Sequence, residues 1–257
     1  GDHRRVPPLP GLAPGVPLVV LDDAQALAKP FIGGFALFDA AVALARGHCR
    51  DTLWVWMIDA ALWPLPRRAR DARPLFDETH LPAPWNEQQL GALLADRCAR
   101  AGIAPVYDDL LEKLPASADE LDRLDALRAK RVGYERMLWD YVRGNPALAL
   151  ESWRASLARD PAGSVRVRPL HLPDSAQLET LPDSALFVLR AVLQLGPAGV
   201  DDVAQATRLS SEQVWNALRF GQSLGLFCEQ EGRMLVSWIW LRAVMRLLER
   251  RHLLVSS

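Results

Sequence analysis

The 257-residue chain predicts a mixed, mostly α fold: a small parallel α/β part, a long helical stretch, and a compact C-terminal unit of helices and a hairpin. Three observations predict it. The apolar run Leu18–Leu21 ends in two acids, Asp22 and Asp23, and a second run, Thr52–Ile58, ends in Asp59, with one segment of helical period between them. From Trp85 to about Leu157 the apolar residues keep helical spacing. Beyond a proline-rich stretch at 160–174, three short helical segments precede two strand-like runs joined through a glycine.

Composition narrows the class of protein. Half the residues are hydrophobic and 24% charged, which is ordinary for a globular chain, and the length suits one large domain or two smaller ones. The net charge of -1 makes no global demand for nucleic acid or membrane. Three cysteines far apart in sequence offer neither metal spacing nor a disulfide framework, so a reducing, cytoplasmic setting is the expectation. No apolar run approaches the ~20 residues of a membrane span, and no signal peptide is visible. Lys29, Lys113 and Lys130 are the only lysines, a bias that reads as a GC-rich coding sequence rather than as arginine chemistry.

Taken in order, residues 1–16 are rich in Pro and Gly and read as a loop. Leu18–Leu21 is short and wholly apolar, as a parallel strand buried on both faces would be. Gly33 and Gly34 permit a tight turn before a helix over Phe35–Arg46, which Gly47 is expected to stop. Thr52–Ile58 is the second strand, and two acid-ended strands separated by one helix form a parallel βα unit. A short helix around Ala60–Arg70, interrupted by Pro64 and Pro66, leads to an arginine cluster, and Phe76–Leu81 reads as a short third strand. Asn86 can cap a helix over Glu87–Ala101 that Gly102 ends. A charge-laced amphipathic helix follows over Ser117–Val142. Gly144-Asn145-Pro146 breaks it, and helix resumes over Ala147–Arg159. The last unit contains helices Asp183–Gln194, Gly199–Thr207 and Glu212–Leu224 (capped by Ser210), a hairpin of Leu226–Glu229 with Met234–Val236, and a helix Trp238–Leu253.

Acids at the carboxyl end of a parallel strand lie where α/β proteins bind ligands. By itself, Asp22-Asp23 is also compatible with a polar turn after a buried strand. In the order of its parts the chain resembles the AAA+/STAND branch of P-loop ATPases: an acid-ended strand, a second one, a helical module with a Gly-x-Pro break, then a winged helix. The resemblance implies a partial α/β nucleotide-binding core at 1–84, a helical lid at 85–159, a linker at 160–182 and a winged helix at 183–257. It gives Asp22 and Asp23 the Walker B role: Asp22 holding Mg²⁺ through water, Asp23 polarising the attacking water. Asp59 falls at the sensor 1 position, where the family often has Asn or Thr. Gly144 and Pro146 match the lid's Gly-x-Pro beside the adenine, and Arg143 or Arg154 would replace a sensor 2 arginine absent near Ala147. Arg70 or Arg73 would serve in trans as an arginine finger. ATP and Mg²⁺ are the implied cofactors, but no Gly-x-x-x-x-Gly-Lys-Ser/Thr occurs in the chain. Truncation upstream of Gly1 and degeneration of the ATPase are the two explanations. ATPase activity is expected only if an upstream phosphate loop is supplied.

The resemblance leaves two functions to weigh. One is the C-terminal part of an ATP-dependent molecular switch, read out by a protein partner or self-association through the winged helix. The other is a non-catalytic winged-helix regulator that binds DNA. Glu212–Leu224 carries one basic residue, Arg219, and the stretch from Asp183 to the end holds eight arginines against seven acids. That balance is not the basic face of a DNA binder. Arg242, Arg246 and Arg250 form the one basic row, able to meet a protein partner or nucleic acid. His48, His80 and His171 are isolated, and the nine tryptophans read as core and contact residues.

Overall fold

The computed structural model describes residues 17–60, 62–70, 74–111 and 119–254. The loop predicted at 1–16, Arg73 and the first residues of the predicted Ser117–Val142 helix lie outside them. Among the described residues the fold is mostly helical with three two-stranded sheets. It separates into two compact units. One takes in the residues up to Leu81, Ala176–Ser237 and those from Val244 on; the other comprises Pro82–Ser175 with Trp238–Ala243. No helix among the described residues is long and apolar enough to cross a membrane.

The first unit begins with β1 (Leu18–Leu21), α1 (Ala36–His48), β2 (Leu53–Trp56) and α2 (Pro64–Ala69). The strands pair in parallel, from Leu18 opposite Leu53 to Leu21 opposite Trp56. They are not buried on both faces, as a wholly apolar run suggests. Leu18, Val20, Leu53 and Val55 are exposed, and the alternate residues turn inward. The reason is that among the described residues only one face has a cover. Phe38 of α1 is fully buried and meets the Trp56 ring edge-on at 5.6 Å, with Ala28 and Val42 completing that small core. Gly47 does not stop α1, which runs through it to His48 with ordinary helical backbone. Pro64 and Pro66 do not interrupt α2; Pro64 starts it, where a missing N–H costs nothing. Phe76–Leu81 forms no strand, since nothing pairs with it. A groove of about 960 Å³ lies instead between β2 and residues 74–81.

The second unit is built from α3 (Glu87–Ala101), α4 (Glu120–Val142), α5 (Pro146–Ser156), β3 (Leu157–Arg159) and β4 (Val165–Val167). Reciprocal side-chain and backbone bonds of Asn86 with Gln89, and of Asp119 with Asp122, cap α3 and α4. Leu90 and Leu94 of α3, Tyr134 and Leu138 of α4, and Trp153 of α5 bury one another. The apolar residues of α4 do not form a single stripe. Leu121, Leu124 and Val132 stay exposed, and the buried ones all belong to its C-terminal half. The predicted Ala147–Arg159 helix ends at Ser156; its last three residues pair antiparallel with β4, inside the stretch read as linker. Val167 of β4 is fully buried, which is what draws this hairpin onto the helices.

The Tyr134 hydroxyl lies 2.6 Å from Ser156 Oγ, whose own proton goes to the Trp153 carbonyl at 2.7 Å, so the tyrosine donates. Burial pushes the Tyr134 hydroxyl from an ordinary 10.0 up to about 12. Its folded value lies above the unfolded one. The stability it contributes is therefore complete below about pH 10 and is lost as pH rises through about 12. We predict that Tyr134→Phe lowers neutral-pH stability by about 1 kcal/mol. The same change removes part of the alkaline decline seen in urea unfolding between those pH values.

The first unit resumes with α6 (Ala176–Glu179), α7 (Asp183–Leu195), α8 (Val200–Thr207), α9 (Ser211–Ser223), β5 (Phe227–Gln230) and β6 (Arg233–Val236); the last helix, α10 (Trp238–Arg250), gives its first six residues to the second unit and the rest to the first. Ser210 caps α9 through a reciprocal bond with Gln213. β5 and β6 pair antiparallel around a two-residue turn, Glu231-Gly232, with φ of 52° and 75°. Both residues take the left-handed conformation that such a turn demands. Val188, Val192, Val203, Val214 and Leu218 are buried, so the inward stripes of α7, α8 and α9 share one core.

Candidate functional site

The ends of β1 and β2 bring Asp22, Asp23 and Asp59 to the same edge of the parallel pair. Beyond the strands the pairing continues, with Met57 N–H donating to the Leu21 carbonyl at 2.8 Å and Ala24 N–H to the Met57 carbonyl at 2.9 Å. Asp23 sits in the left-handed region, φ 49°, a conformation that a short polar side chain tolerates better than most. It starts a 3-10 turn, Ala24–Leu27, that carries the chain away from the sheet.

Gln25 ties the edge together. Its amide nitrogen donates to Asp23 Oδ1 at 3.0 Å, and its amide oxygen accepts from the Asp59 N–H at 3.1 Å. The Asp23 N–H donates to Asp22 Oδ1 at 2.9 Å. Both carboxylates of the pair are exposed and keep a second oxygen clear of these bonds. Gln25 was not among the residues singled out from sequence. The available signal was a polar side chain two positions past the acid pair, in a segment otherwise of Ala and Leu.

Two adjacent carboxylates, each with a free oxygen, suit Mg²⁺. That ion takes one or two carboxylates and fills the rest of its octahedron with water and phosphate. Among the described residues no group of three or more His, Cys, Asp or Glu is placed to hold a metal alone. An ion here would therefore take the rest of its ligands from water or from a bound molecule.

Arg143, Gly144 and Pro146 belong to the other unit. Arg143 ends α4 at φ 52°, and Gly144 follows at φ 75°. The Trp85 N–H donates to the Gly144 carbonyl at 3.0 Å, and the Trp139 indole N–H donates to the Trp85 carbonyl at 2.9 Å. A Cβ on Gly144 would lie 2.4 Å from that carbonyl oxygen. Asn145 caps α5 through the Leu148 N–H at 3.0 Å, and Pro146 occupies its first turn. Arg154 pairs with Glu151 at 2.7 Å.

The arginines predicted to act outward are differently engaged. Arg70 donates from Nε to Asp39 Oδ1 at 2.8 Å and from Nη2 to Oδ2 at 2.5 Å, and lies over the Phe35 ring at 4.9 Å. That bond holds the Asp39 carboxyl below its usual value. In this structure the guanidinium thus joins α2 to α1 and is not free to reach outward. Arg219 is exposed and lies over Trp215 at 5.7 Å. The row Arg242, Arg246, Arg250 is not a uniform basic face. Arg242 is half-buried, Arg250 pairs with Glu179, and Arg246 is exposed. The i, i+4, i+8 spacing places them on one side of α10 but does not reveal a partner 71 positions away. Among the described residues the exposed face of α9 carries Trp215 and Phe220 beside that single arginine. All three cysteines are free thiols.

Comparison with family models, with curated proteins and with solved structures finds no match to this chain.

Proposed function

We propose that this chain forms the Walker B half of the core, the helical lid and the winged helix of an AAA+/STAND-like ATP-dependent switch. The observation that carries the reading is the parallel pair β1–β2. It delivers Asp22-Asp23 and Asp59 to one edge and joins them through Gln25. Three further features support it. Among the described residues the outer edge of β2 has no strand partner, and the groove beside it leaves room for more of a sheet. The Gly144-Asn145-Pro146 turn joins the end of α4 to the start of α5, where the resemblance puts the lid's Gly-x-Pro. The order α7, α8, α9, β5–β6 hairpin and α10 is consistent with a winged-helix plan.

In this reading ATP would be held by a phosphate loop that these 257 residues do not themselves supply. Bound Mg²⁺ would supply charge neutralisation at the phosphates, and Asp22 would hold it through water. Asp23 would accept a hydrogen bond from the attacking water, with Gln25 fixing the carboxylate's orientation. Asp59 would keep the water in place, its negative charge slowing turnover relative to an Asn. The lid angle would then pass to the winged helix, whose exposed Trp215 and Phe220 suit a protein partner better than duplex DNA.

The test restores the upstream coding sequence and follows thermal unfolding with and without Mg·ATP. We expect saturating nucleotide to raise the stability by about 3 kcal/mol at a hundredfold excess over Kd, and Asp22→Ala to remove most of the magnesium-dependent part. An absence of any nucleotide-dependent stabilisation in the restored chain would overturn the reading. A gel shift on duplex DNA at low salt, lost in Arg246→Ala, would favour the DNA-binding regulator instead.

A further inference from the structure

A second cavity, of about 220 Å³, lies in the first unit away from the acid-ended strands. Phe187, Arg190 and Gln194 line it from α7, Ala206 and Thr207 from the end of α8, and Pro30 from the segment after the acid pair. The α7 residues stand three and four apart, so one helical face presents them all. Pro30 is fixed by a locked turn in which the Lys29 N–H donates to the Gly34 carbonyl at 3.1 Å and the Gly34 N–H to the Phe31 carbonyl at 2.9 Å.

Two polar side chains in this cavity lack partners. Arg190 Nε is buried from solvent and bonds to nothing, and the guanidinium makes no ion pair with a described residue. Gln194 is 8% exposed, and its amide bonds to no described residue. Arg70 and Arg166, part-buried like Arg190, each meet a carboxylate. Buried donors are rarely left without an acceptor, because an unpaired one loses its water without compensation. Arg190 thus lines the cavity as a cation without a counter-charge among the described residues, and its Nη groups, which unlike Nε are not sealed from solvent, can meet a bound anion.

We infer that this cavity is a binding site for a small monocarboxylate, held by the Arg190 guanidinium and the Gln194 amide. A guanidinium fork presents two parallel donors at the spacing of the two carboxylate oxygens, and the Gln194 amide adds a third donor. Thr207 cannot donate, since its hydroxyl proton goes to the Val203 carbonyl at 2.8 Å. With Phe187, Ala206 and Pro30 it forms an apolar wall for a short hydrocarbon. A single cation matches one negative charge and not a phosphate dianion. The volume is below the about 300–1,000 Å³ of pockets for larger ligands, which restricts the occupant to an acid of a few carbons or the carboxylate end of a peptide. An occupant touching both Pro30 and α7 would join the segment that follows the acid pair to the C-terminal helices of the same unit. The inference stands whether or not the chain is an ATPase.

The test uses the ¹⁵N-labelled full chain and follows the Arg190 Nε–H resonance during titration with propionate, inorganic phosphate and sodium chloride. Propionate should shift it saturably with a Kd of about 1–10 mM, as weak as a ligand of so few atoms allows. Arg190→Lys should weaken binding at least about tenfold by removing the fork, and Gln194→Leu about threefold to tenfold. N-acetyl-dialanine, with its carboxyl free or amidated, distinguishes the sources. Tighter binding than propionate, lost on amidation, identifies a chain terminus; weaker binding identifies a free short acid. The inference fails if neither acid gives a saturable shift, or if phosphate or chloride binds as well as propionate. It fails equally if the two variants, shown folded by their amide spectra, bind propionate like the parent chain. Should Arg190→Lys not fold, the parent resonance and Gln194→Leu decide the matter.

Discussion

Gly144→Ala is expected to destabilise the helical unit by about 3–5 kcal/mol, while Gly102→Ala, also at a left-handed helix end, costs about 1 kcal/mol. The two glycines have φ of 75° and 64°, so backbone strain alone is similar at both. Their surroundings differ. A Cβ at Gly102 meets nothing within 4 Å, whereas one at Gly144 falls 2.4 Å from the Trp85 carbonyl oxygen and 2.8 Å from its nitrogen. That backbone cannot retreat cheaply. It gives one hydrogen bond to Gly144 and accepts one from the Trp139 indole, and moving it breaks both. Urea unfolding followed by tryptophan fluorescence measures the difference. Equal midpoints for the two variants would mean that the Trp85 segment does not hold this close approach in solution. The Gly-x-Pro break thus has a packing requirement at its glycine that is independent of any nucleotide.

Phe38→Ala is expected to cost about 3–5 kcal/mol, and Phe38→Leu about 1–2 kcal/mol. Phe38 is wholly buried and contacts the rings of Phe35 and Trp56 at centroid distances of 6.1 and 5.6 Å. It is the main side chain holding α1 against a sheet of only two strands, so the loss should reach the strand ends. The amides of Ala24 and Asp59, bonded to the Met57 carbonyl and to Gln25, should exchange with solvent faster in Phe38→Ala. If global stability falls while those two amides keep their protection, the acid-bearing edge is held independently of α1.

What the sequence made legible was mostly local. Asn86 and Ser210, each followed three residues later by Gln, announce α3 and α9, and the structure starts both helices within a residue of the expected place. The same is true of the Glu231-Gly232 turn, whose chemistry lies within a few positions of itself. Errors concentrate where a partner lies far along the chain. Phe76–Leu81 has strand-like residues but no strand beside it, and Leu157–Arg159 leaves a helical pattern because β4 offers a ladder. The apolar run at β1 does not disclose that only one face is covered, which depends on where α1 lies. At the candidate site the acids were legible from composition at strand ends. Gln25 was not, because its significance rests on Asp59, 34 residues away. The engagement of Arg70 by Asp39 and of Arg250 by Glu179 is non-local in the same way.

The open parallel pair has a consequence for the chain's behaviour at high concentration. Among the described residues β2 has no partner on its outer side, and Leu53 and Val55 face outward beside Leu18 and Val20. Natural sheets usually guard such an edge with lysine, proline or a bulge. Leu53-Trp54-Val55-Trp56 has none of these and carries no charge. An unguarded row of backbone donors flanked by branched and aromatic side chains is a template for intermolecular strand pairing. An exposed β2 edge is therefore expected to promote association of this polypeptide at high concentration, and a strand seated there would suppress it.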